Sequence, residues 1–439
     1  MITLNQYVRV YQFDNHTLVY NTINGEVLLF PKGIVKDRIL SKNIPTSIEK
    51  YMFGHYFLNR DLPWDKFEER FESSNCLLIS LELFLACNLS CPYCYQINND
   101  HSKAKVSKLN LDLLFEYIAS VHQKQNFSIL ILKVLGGEPS LDWELADYFL
   151  QKIIPFCKNN KIKLDLRIDT NCTDVRYFLS IVGYDKILFT VPLCNKEQHD
   201  QYRHLKNGKG TYDNIIENVI SLDKMPNSSI VLRHNTDSFN ILTFDSYLED
   251  LAQKRLNKHM IVSQFTRHPY HGDYQNALTY QQYVDWLSSE YINLLIYHGF
   301  QVSIYPHLML EGKCQQWSNY SLKLFSDGKV GACAAHFYDT GNPYLSDIMQ
   351  NGIESINTYW NSTKSTRLFH DSKCKTCPSL FTCSGHYKLP CIKEFNISPC
   401  NPEKNLYLNW DIYFHTIYKQ ILAGNQKYLL KPSIKYMNL

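Results

Sequence analysis

The sequence Cys87-Asn88-Leu89-Ser90-Cys91-Pro92-Tyr93-Cys94 places three cysteines in a C-x₃-C-x₂-C pattern, directly after the apolar run at residues 77–85. Three thiolates can hold three irons of a 4Fe–4S cluster and leave the fourth iron open to an external ligand. A closed structural metal site needs four protein ligands. The pattern therefore favours a cluster that binds a further molecule, with half of a zinc knuckle as the alternative.

The composition indicates a large cytoplasmic protein. A length of 439 residues predicts two or three domains with a substantial core, and a formal charge of +3 gives no reason to expect a nucleic-acid partner. Residues 1–13 lack the pattern of a signal peptide, and residues 77–85 are too few to span a bilayer, so we expect no membrane association. Fourteen cysteines in such a chain indicate metal ligation more than disulfides.

Strand and helix patterns alternate after the three cysteines. Six β/α units in series predict an α/β fold with a parallel sheet, and we expect both faces of that sheet to be buried. The predicted strands are residues 77–85, 128–135, 162–169, 186–191, 229–234 and 258–265. The predicted helices between them include residues 109–123, 141–157, 211–223 and 244–255.

Polar motifs follow several of these predicted strands. The three cysteines follow the first strand, and Gly136-Gly137-Glu138-Pro139 follows the second. Asp169-Thr170-Asn171 ends the third strand, and His234-Asn235-Thr236 ends the fifth. Parallel strands with helical crossovers bring the loops after their carboxyl ends to one side. We therefore expect these motifs to meet at a single site.

The cysteine pattern and the Gly136–Pro139 motif together resemble the signature of the radical S-adenosylmethionine (radical SAM) enzymes. The resemblance implies a partial (β/α)₆ barrel, which matches the number of predicted units. It also implies that Cys87, Cys91 and Cys94 are catalytic residues that hold a 4Fe–4S cluster. In that superfamily the open iron binds S-adenosylmethionine, which an electron from the cluster splits into methionine and a 5′-deoxyadenosyl radical.

The same resemblance implies which residues contact the cofactor. The two glycines allow a close approach of the backbone, Glu138 accepts hydrogen bonds from the cofactor ammonium, and Arg203 contacts its carboxylate. Val191 stands where related enzymes carry a serine, which leaves some polar contacts unassigned. The cofactor-binding residues implied are Tyr93, Gly136, Gly137, Glu138, Asn171 and Arg203.

Seven cysteines in the last third of the chain resemble the SPASM extension, which holds two auxiliary 4Fe–4S clusters. The order implies an inner cluster on Cys314, Cys333 and Cys391. It implies an outer cluster on Cys374, Cys377, Cys383 and Cys400. Zinc is the alternative for the C-x₂-C-x₅-C part. The spacing departs from the family, because seven residues separate the last two cysteines before residue 400 and the inner set lacks a fourth ligand. Buried thiols are expected at Cys76, Cys157, Cys172 and Cys194.

We expect three domains with boundaries near residues 75 and 305. Residues 1–75 form a small α+β unit with a hairpin at Asn24-Gly25, and this unit either binds a precursor peptide or simply caps the barrel. Residues 76–305 form the barrel. Residues 306–439 form the auxiliary-cluster domain, with a tight hairpin at Ser326-Asp327-Gly328 and a C-terminal helix.

The whole-chain resemblance is to SPASM-type radical SAM peptide maturases. It implies an oxidoreductase that modifies a ribosomally synthesised precursor peptide with a leader, using S-adenosylmethionine, three 4Fe–4S clusters and a flavodoxin- or ferredoxin-type electron donor. Its implied reaction begins with hydrogen abstraction by the 5′-deoxyadenosyl radical. The product is a cyclophane-like cross-link at an aromatic residue, through a C–C, ether or thioether bond.

Three other functions stay open at the level of sequence. An anaerobic sulfatase-maturing enzyme would form formylglycine, but such enzymes carry an aspartate where Ala334 follows Cys333. A peptide epimerase would exchange a hydrogen without a change in mass. A non-catalytic cluster-bearing scaffold would be expected to have lost the three cysteines or Glu138, and the chain retains them all.

Overall fold

The computed structural model describes most of the chain. Two compact units are distinguished: a sheet unit of Ser74–Thr279 with Gln315–Ser365, and a terminal unit of Met1–Ser73, Tyr280–Cys314 and Thr366–Leu439. This division differs from the expected boundaries, because the N-terminal residues form one compact unit with two later segments. The described residues are 2–41, 44–72, 75–94, 104–266, 274–306, 308, 321–331, 346–347, 372–383, 408–431 and 433–437.

The described strands confirm the six predicted ones, as β7 to β12, with shifts of a few residues at their ends. The strands up to the cysteine motif are β1 Ile2–Thr3, β2 Val8–Gln12, β3 His16–Asn21, β4 Glu26–Pro31, β5 Val35–Lys36, β6 Ile39–Leu40 and β7 Cys76–Glu82. Those after it are β8 Ile129–Leu135, β9 Lys163–Asp169, β10 Lys186–Pro192, β11 Ser228–Thr236, β12 Met260–Phe265, β13 Ser321–Leu324, β14 Lys329–Gly331, β15 Ser346–Asp347 and β16 Ser433–Tyr436.

The predicted crossover helices are confirmed as α3, α4, α6 and α7. Among the described residues, no helix is both long and apolar enough to cross a membrane. The helices are α1 Thr46–Gly54, α2 Trp64–Glu72, α3 Lys108–Gln125, α4 Glu144–Asn159, α5 Lys196–Tyr202, α6 Tyr212–Leu222, α7 Phe244–Gln253, α8 Tyr280–Ser288, α9 Glu290–Tyr297, α10 Ser372–Lys375, α11 Leu380–Cys383 and α12 Trp410–Leu422.

The sheet unit contains a nine-stranded sheet with the order β12-β11-β10-β9-β8-β7-β13-β14-β15. Strands β7 to β12 are all parallel to their neighbours and follow one another in chain order. The carboxyl ends of β7 to β12 therefore lie along one edge of the sheet. The loops that carry the cysteines, Glu138 and Asn171 all begin at that edge.

The parallel strands have one fully buried face and one half-buried face. On β8, Leu132 is fully buried whereas its neighbour Lys133 is partly exposed. His234 on the buried face of β11 packs against Phe244 and Tyr247 of α7, with ring centroids 4.9 and 5.5 Å apart, so helices cover this face. The expectation that both faces are buried is wrong. The other face, the polar face, carries Lys133, Asp165, Arg167, Asp169 and Arg233.

The predicted hairpin at residues 326–328 is confirmed. Strands β13 and β14 are antiparallel, and Gly328 between them has a φ of 86°, which a glycine adopts without strain. Strand β13 also pairs in parallel with β7 and so extends the sheet. Lys323 of β13 and Glu82 of β7 form a fully buried ion pair with an Nζ–Oε2 distance of 2.8 Å, and Ser326 Oγ donates to the other Glu82 oxygen at 3.3 Å.

The terminal unit contains a four-stranded sheet with the order β16-β4-β3-β2. The predicted hairpin between β3 and β4 is confirmed, and Gly25 in its turn has a φ of 74°. Strand β16, from the end of the chain, pairs in parallel with β4. A second, small sheet has the order β1-β6-β5. The first and last segments of the chain therefore share one sheet.

An aromatic cluster within the terminal unit joins the N-terminal segment to the cysteine segment at residues 374–383. Phe381 is fully buried between Tyr7 and Phe67, with ring centroids 4.9 and 5.3 Å apart. Arg9 Nη2 donates to Ser379 Oγ at 2.9 Å. The N-terminal segment therefore packs directly on the cysteine segment, in addition to forming a hydrophobic core of its own residues around Val19 and Leu28.

Candidate functional site

The cysteine loop is anchored by backbone contacts on both sides. Leu89 pairs with Leu205 as an isolated bridge, and the Leu89 N–H lies 3.5 Å from Cys87 Sγ. Within the loop, Cys94 N–H donates to the Cys91 carbonyl at 3.1 Å. Cys87, Cys91 and Cys94 are not joined in disulfides among the described residues, and each is partly exposed. The loop thus presents three thiols that a cluster could reach.

The two glycines of the Gly136–Pro139 motif hold this loop against the sheet. Gly137 N–H donates to the Phe84 carbonyl at 2.8 Å, and Glu138 N–H donates to the Ala86 carbonyl at 2.9 Å. A Cβ on Gly137 would lie 2.5 Å from the Leu85 carbonyl oxygen, too close for any side chain. The glycines therefore allow backbone to contact backbone, a role that the sequence motif does not reveal.

Glu138 is fully buried and links three strand ends. Its Oε1 accepts hydrogen bonds from Ser140 N–H at 3.0 Å and from Thr170 Oγ1 at 2.7 Å. Its Oε2 accepts from Asn171 N–H at 2.5 Å. Burial raises the pKa of Glu138 above its ordinary value, while these donors act in the opposite direction. Because a carboxylate oxygen accepts two hydrogen bonds, Oε2, with one donor from Asn171, can accept one more.

The structure places the side chain of Asn171 on the cysteine loop. Its Nδ2 donates to Asn88 Oδ1 at 2.7 Å and lies 3.7 Å from Cys87 Sγ. Its Oδ1 accepts from the backbone N–H and the hydroxyl of Thr173, at 2.9 and 2.7 Å. Every polar atom of this side chain is therefore engaged within the chain.

Arg203 and Tyr93 lie beside the second cysteine. Arg203 is buried, and its Nη1 lies 3.6 Å from Cys91 Sγ and 3.3 Å from the Tyr93 hydroxyl. Its Nε is buried without an acceptor, which leaves a donor for a bound carboxylate. Burial raises the pKa of Tyr93 to about 12, so the phenol stays protonated. Tyr202 and Tyr274 flank the Tyr93 ring edge-on, with centroids 6.3 and 6.0 Å away.

Burial and hydrogen-bond donors act in opposite directions on the Cys87 sulfur. Burial raises the pKa of Cys87, and the Leu89 and Asn171 donors oppose that shift because they favour the charged form. The Arg203 guanidinium lies beside Cys91, with Nη1 3.6 Å from Sγ. Across the described residues, no three His, Cys, Asp or Glu side chains form a site for a single metal ion. A cubane cluster requires no such convergence, since each thiolate binds a different iron. The loop therefore fits a 4Fe–4S cluster.

The C-terminal cysteines are described only in part. Cys374 and Cys377 are partly exposed free thiols, and Cys374 packs on the aromatic cluster around Phe381. The backbone of Cys383 ends α11. The predicted ligands Cys314, Cys333, Cys391 and Cys400 lie outside the described residues. Of the four thiols expected to be buried, Cys157, Cys172 and Cys194 are so, whereas Cys76 is partly exposed.

Sequence reasoning named Asp169 and Thr170 only as parts of a strand-end motif, and it missed the other charged residues of the polar face. Lys133 Nζ lies 2.7 Å from Asp169 Oδ2, and Arg233 Nη1 lies 4.0 Å from the same oxygen. The signal was available, because charged side chains interrupt apolar strands at every second position, which is typical of a sheet with one polar face.

Comparisons with known proteins bear on this site. No family model matches the chain. A cysteine-type anaerobic sulfatase-maturating enzyme from Clostridium novyi (strain NT) is 25% identical over 324 residues, which cover 66% of this chain and 82% of that protein. The chain is similar to radical SAM enzymes that modify peptides and proteins. The resemblance inferred from the cysteine motif and the Gly136–Pro139 motif is therefore confirmed.

Solved structures agree on the fold. The structure of anSMEcpe with bound AdoMet has a TM-score of 0.54 and 17% identity, and the match covers 80% of this chain and 99% of that one. The same protein with AdoMet and the Cp18Cys peptide has a TM-score of 0.56 and 18% identity, with equal coverage. At such identity the likeness shows the fold alone, an α/β architecture with a central parallel sheet.

Proposed function

We propose that this protein is a radical SAM enzyme that cross-links side chains within a ribosomally made peptide, at an aromatic residue, through a C–C, ether or thioether bond. The observation that carries the proposal is the contact network at one sheet edge. There Asn171 touches both Cys87 Sγ and the Glu138 carboxylate, so the expected cluster ligand and the expected cofactor ligand share one neighbour.

The chain's own residues take the following roles in this proposal. Cys87, Cys91 and Cys94 hold the cluster as thiolates. Glu138 orients the cofactor ammonium, and Arg203 offers its free Nε to the carboxylate. The cluster with S-adenosylmethionine supplies one-electron cleavage of the cofactor and hydrogen-atom abstraction from the substrate. The parallel strands curve as a partial barrel, with the peptide on the polar face.

The remaining cofactors and partners belong to the same proposal. The C-terminal cysteines hold two auxiliary 4Fe–4S clusters, one of which accepts the second electron of the oxidation. A flavodoxin- or ferredoxin-type protein supplies electrons to the first cluster. Support comes from the cysteine order and from the match to the structure of anSMEcpe with the Cp18Cys peptide.

The cysteine assignment is tested by changing Cys87, Cys91 and Cys94 together to Ala. We expect the triple variant to lose 5′-deoxyadenosine formation in an anaerobic assay with dithionite and S-adenosylmethionine. Wild type should contain about 12 irons per chain and the variant about eight, because only one four-iron cluster is removed. Retained 5′-deoxyadenosine formation would refute the assignment. About four irons with zinc in the wild type would support zinc at the C-terminal cysteines.

A second candidate is the maturation of a sulfatase-type protein, which the Clostridium novyi relative favours. Against it, Ala334 follows Cys333 where such enzymes carry an aspartate. Mass spectrometry of the modified substrate separates the two. A cross-link lowers the mass by about two units, since one hydrogen leaves as an atom and another as a proton and an electron. An aldehyde that reacts with a hydrazide would identify sulfatase maturation, and deuterium uptake without other change would identify epimerisation.

A further inference from the structure

Arg233 lies on the polar face, and no hydrogen bond from its side chain to another described residue is found. Its side chain is 29% exposed, and its Nε is buried without a partner. The nearest carboxylate oxygen, Asp169 Oδ2, lies 4.0 Å from Nη1, beyond hydrogen-bond distance. That oxygen already pairs with Lys133 Nζ at 2.7 Å. Among the residues that the structure describes, the buried Nε of this guanidinium thus has no acceptor.

A second arginine on the same face, Arg167, has acceptors for its hydrogen-bond donors. Arg167 donates from Nη2 to Asp165 at 2.8 Å and from Nε to the same carboxylate at 3.4 Å. Arg167 and Asp165 therefore neutralise each other. Near the carboxyl end of this face, Lys133 and Arg233 share the single carboxylate of Asp169, so these three side chains together carry a net positive charge.

The net positive charge lies towards the carboxyl edge of the sheet. Asp169 is the last residue of β9 and pairs in register with Thr190 of β10, while Arg233 pairs with Pro192, the last residue of β10. The loops that carry Glu138 and Asn171 begin at this same edge. Arg233 is therefore placed among the residues expected to contact cofactor and substrate.

We propose that Arg233, with Lys133 beside it, forms a carboxylate-binding position on the polar face. The inference rests on the proposed function and names a ligand group for the same site. A partly desolvated cation without an acceptor costs free energy that a bound carboxylate returns, and the planar guanidinium matches a carboxylate with two parallel hydrogen bonds. The carboxylate is either that of the cofactor methionine or that of an acidic group in the peptide.

The two sources are separated by two binding titrations of the cluster-loaded protein and its Arg233→Gln variant. The first arm measures S-adenosylmethionine and decarboxylated S-adenosylmethionine by calorimetry. If Arg233 binds the cofactor carboxylate, the variant loses at least tenfold in affinity for the former and nothing for the latter. The second arm uses glutarate as a carboxylate probe. Loss of glutarate binding with unchanged S-adenosylmethionine binding assigns the position to the peptide.

Two variants complete the test. Arg167→Gln is the matched control, because Arg167 lies on the same face but is already paired, and it should bind every probe as wild type does. Arg233→Lys keeps the charge and should retain part of the affinity, which guards against misfolding as the cause. Equal binding of all probes by wild type and Arg233→Gln overturns the proposal. Failure of wild type to bind S-adenosylmethionine refutes the proposed function, while the glutarate arm still tests Arg233.

Discussion

At the scale of single residues, the hydrogen bonds to the cysteine sulfurs have a measurable consequence. Asn171 donates to Cys87 Sγ and is held in place by Thr173. Such N–H donors stabilise the reduced, more negative state of a cluster. We expect Asn171→Ala to shift the midpoint potential of the cluster to a more negative value, measured by redox titration followed by electron paramagnetic resonance.

The matched control for this change is Asn218→Ala. Asn218 Nδ2 donates to the Cys172 carbonyl at 2.8 Å, so it supports the same loop without contacting a sulfur. Its potential should equal that of wild type. Equal shifts in both variants would show that loop mobility, and not the N–H···S contact, sets the potential.

Glu138 gives a prediction for pH. Because burial raises its pKa, the fold favours the protonated carboxyl. Its contribution to the free energy of unfolding is complete below the ordinary glutamate pKa and is lost as pH rises through the raised one. Without cofactor, wild type should therefore lose stability relative to Glu138→Gln as pH increases from about 4 to 8. Urea unfolding over that range measures the difference. Glu144→Gln, at an exposed position, is the control for the glutamate-to-glutamine substitution itself.

The sequence predicts some of these residues and not others for a physical reason. The three cysteines lie in one short motif, and Glu138 lies in another. Each motif can be recognised from residues that are close together in the sequence. The contact of Asn171 with Cys87 joins residues 84 positions apart. It depends on the loop after β9, where Cys172 has a φ of 62°, and no local pattern specifies that turn.

At the scale of elements, the junction of β7 and β13 depends on one buried ion pair. Removing one partner of such a pair leaves an uncompensated charge. We expect Lys323→Met to lower the free energy of unfolding by about 3–5 kcal/mol, measured by chemical denaturation. Adding Glu82→Leu should recover most of the loss.

The control for the β7–β13 junction is Lys258→Met, which breaks an ion pair between Asp223 and a lysine whose side chain is 60% exposed. Exposed pairs contribute about 1 kcal/mol or less. A similarly small loss of stability in Lys323→Met would mean that other groups stabilise the charge of Glu82 when the lysine is removed.

The strands themselves were predictable from alternating helices and apolar runs. The polar face was not predicted, because the charged positions within β8, β9 and β11 were treated as parts of apolar runs.

At the scale of the whole molecule, the division into units could not be derived from order along the chain. The sequence predicts the hairpin at Asn24-Gly25, and the structure confirms it. The sequence does not show that β16, from the C-terminus, completes the sheet of β2, β3 and β4. Pairing between distant segments depends on tertiary contacts that no local pattern records.

This organisation bears on the role of the N-terminal segment. If the N-terminal segment helps to hold the outer cluster, a substitution that disrupts the packing between this segment and the cysteine segment should lower both the stability of the protein and its iron content. Phe381 is fully buried among N-terminal aromatic residues, so Phe381→Ala should cost about 3–5 kcal/mol of unfolding free energy. Iron should fall from about 12 to about eight per chain, since the neighbouring cysteines would no longer be held for one cluster.

Calorimetry and iron analysis on Phe381→Ala and on the control Phe53→Ala measure both effects. The Phe53 side chain belongs to the same unit but is 49% exposed, so its removal should change neither quantity. A leader-binding module that folds independently of the cysteine segment predicts the opposite. In that case Phe381→Ala would leave the iron content at the wild-type value, and the N-terminal segment would act on the peptide rather than on the cluster.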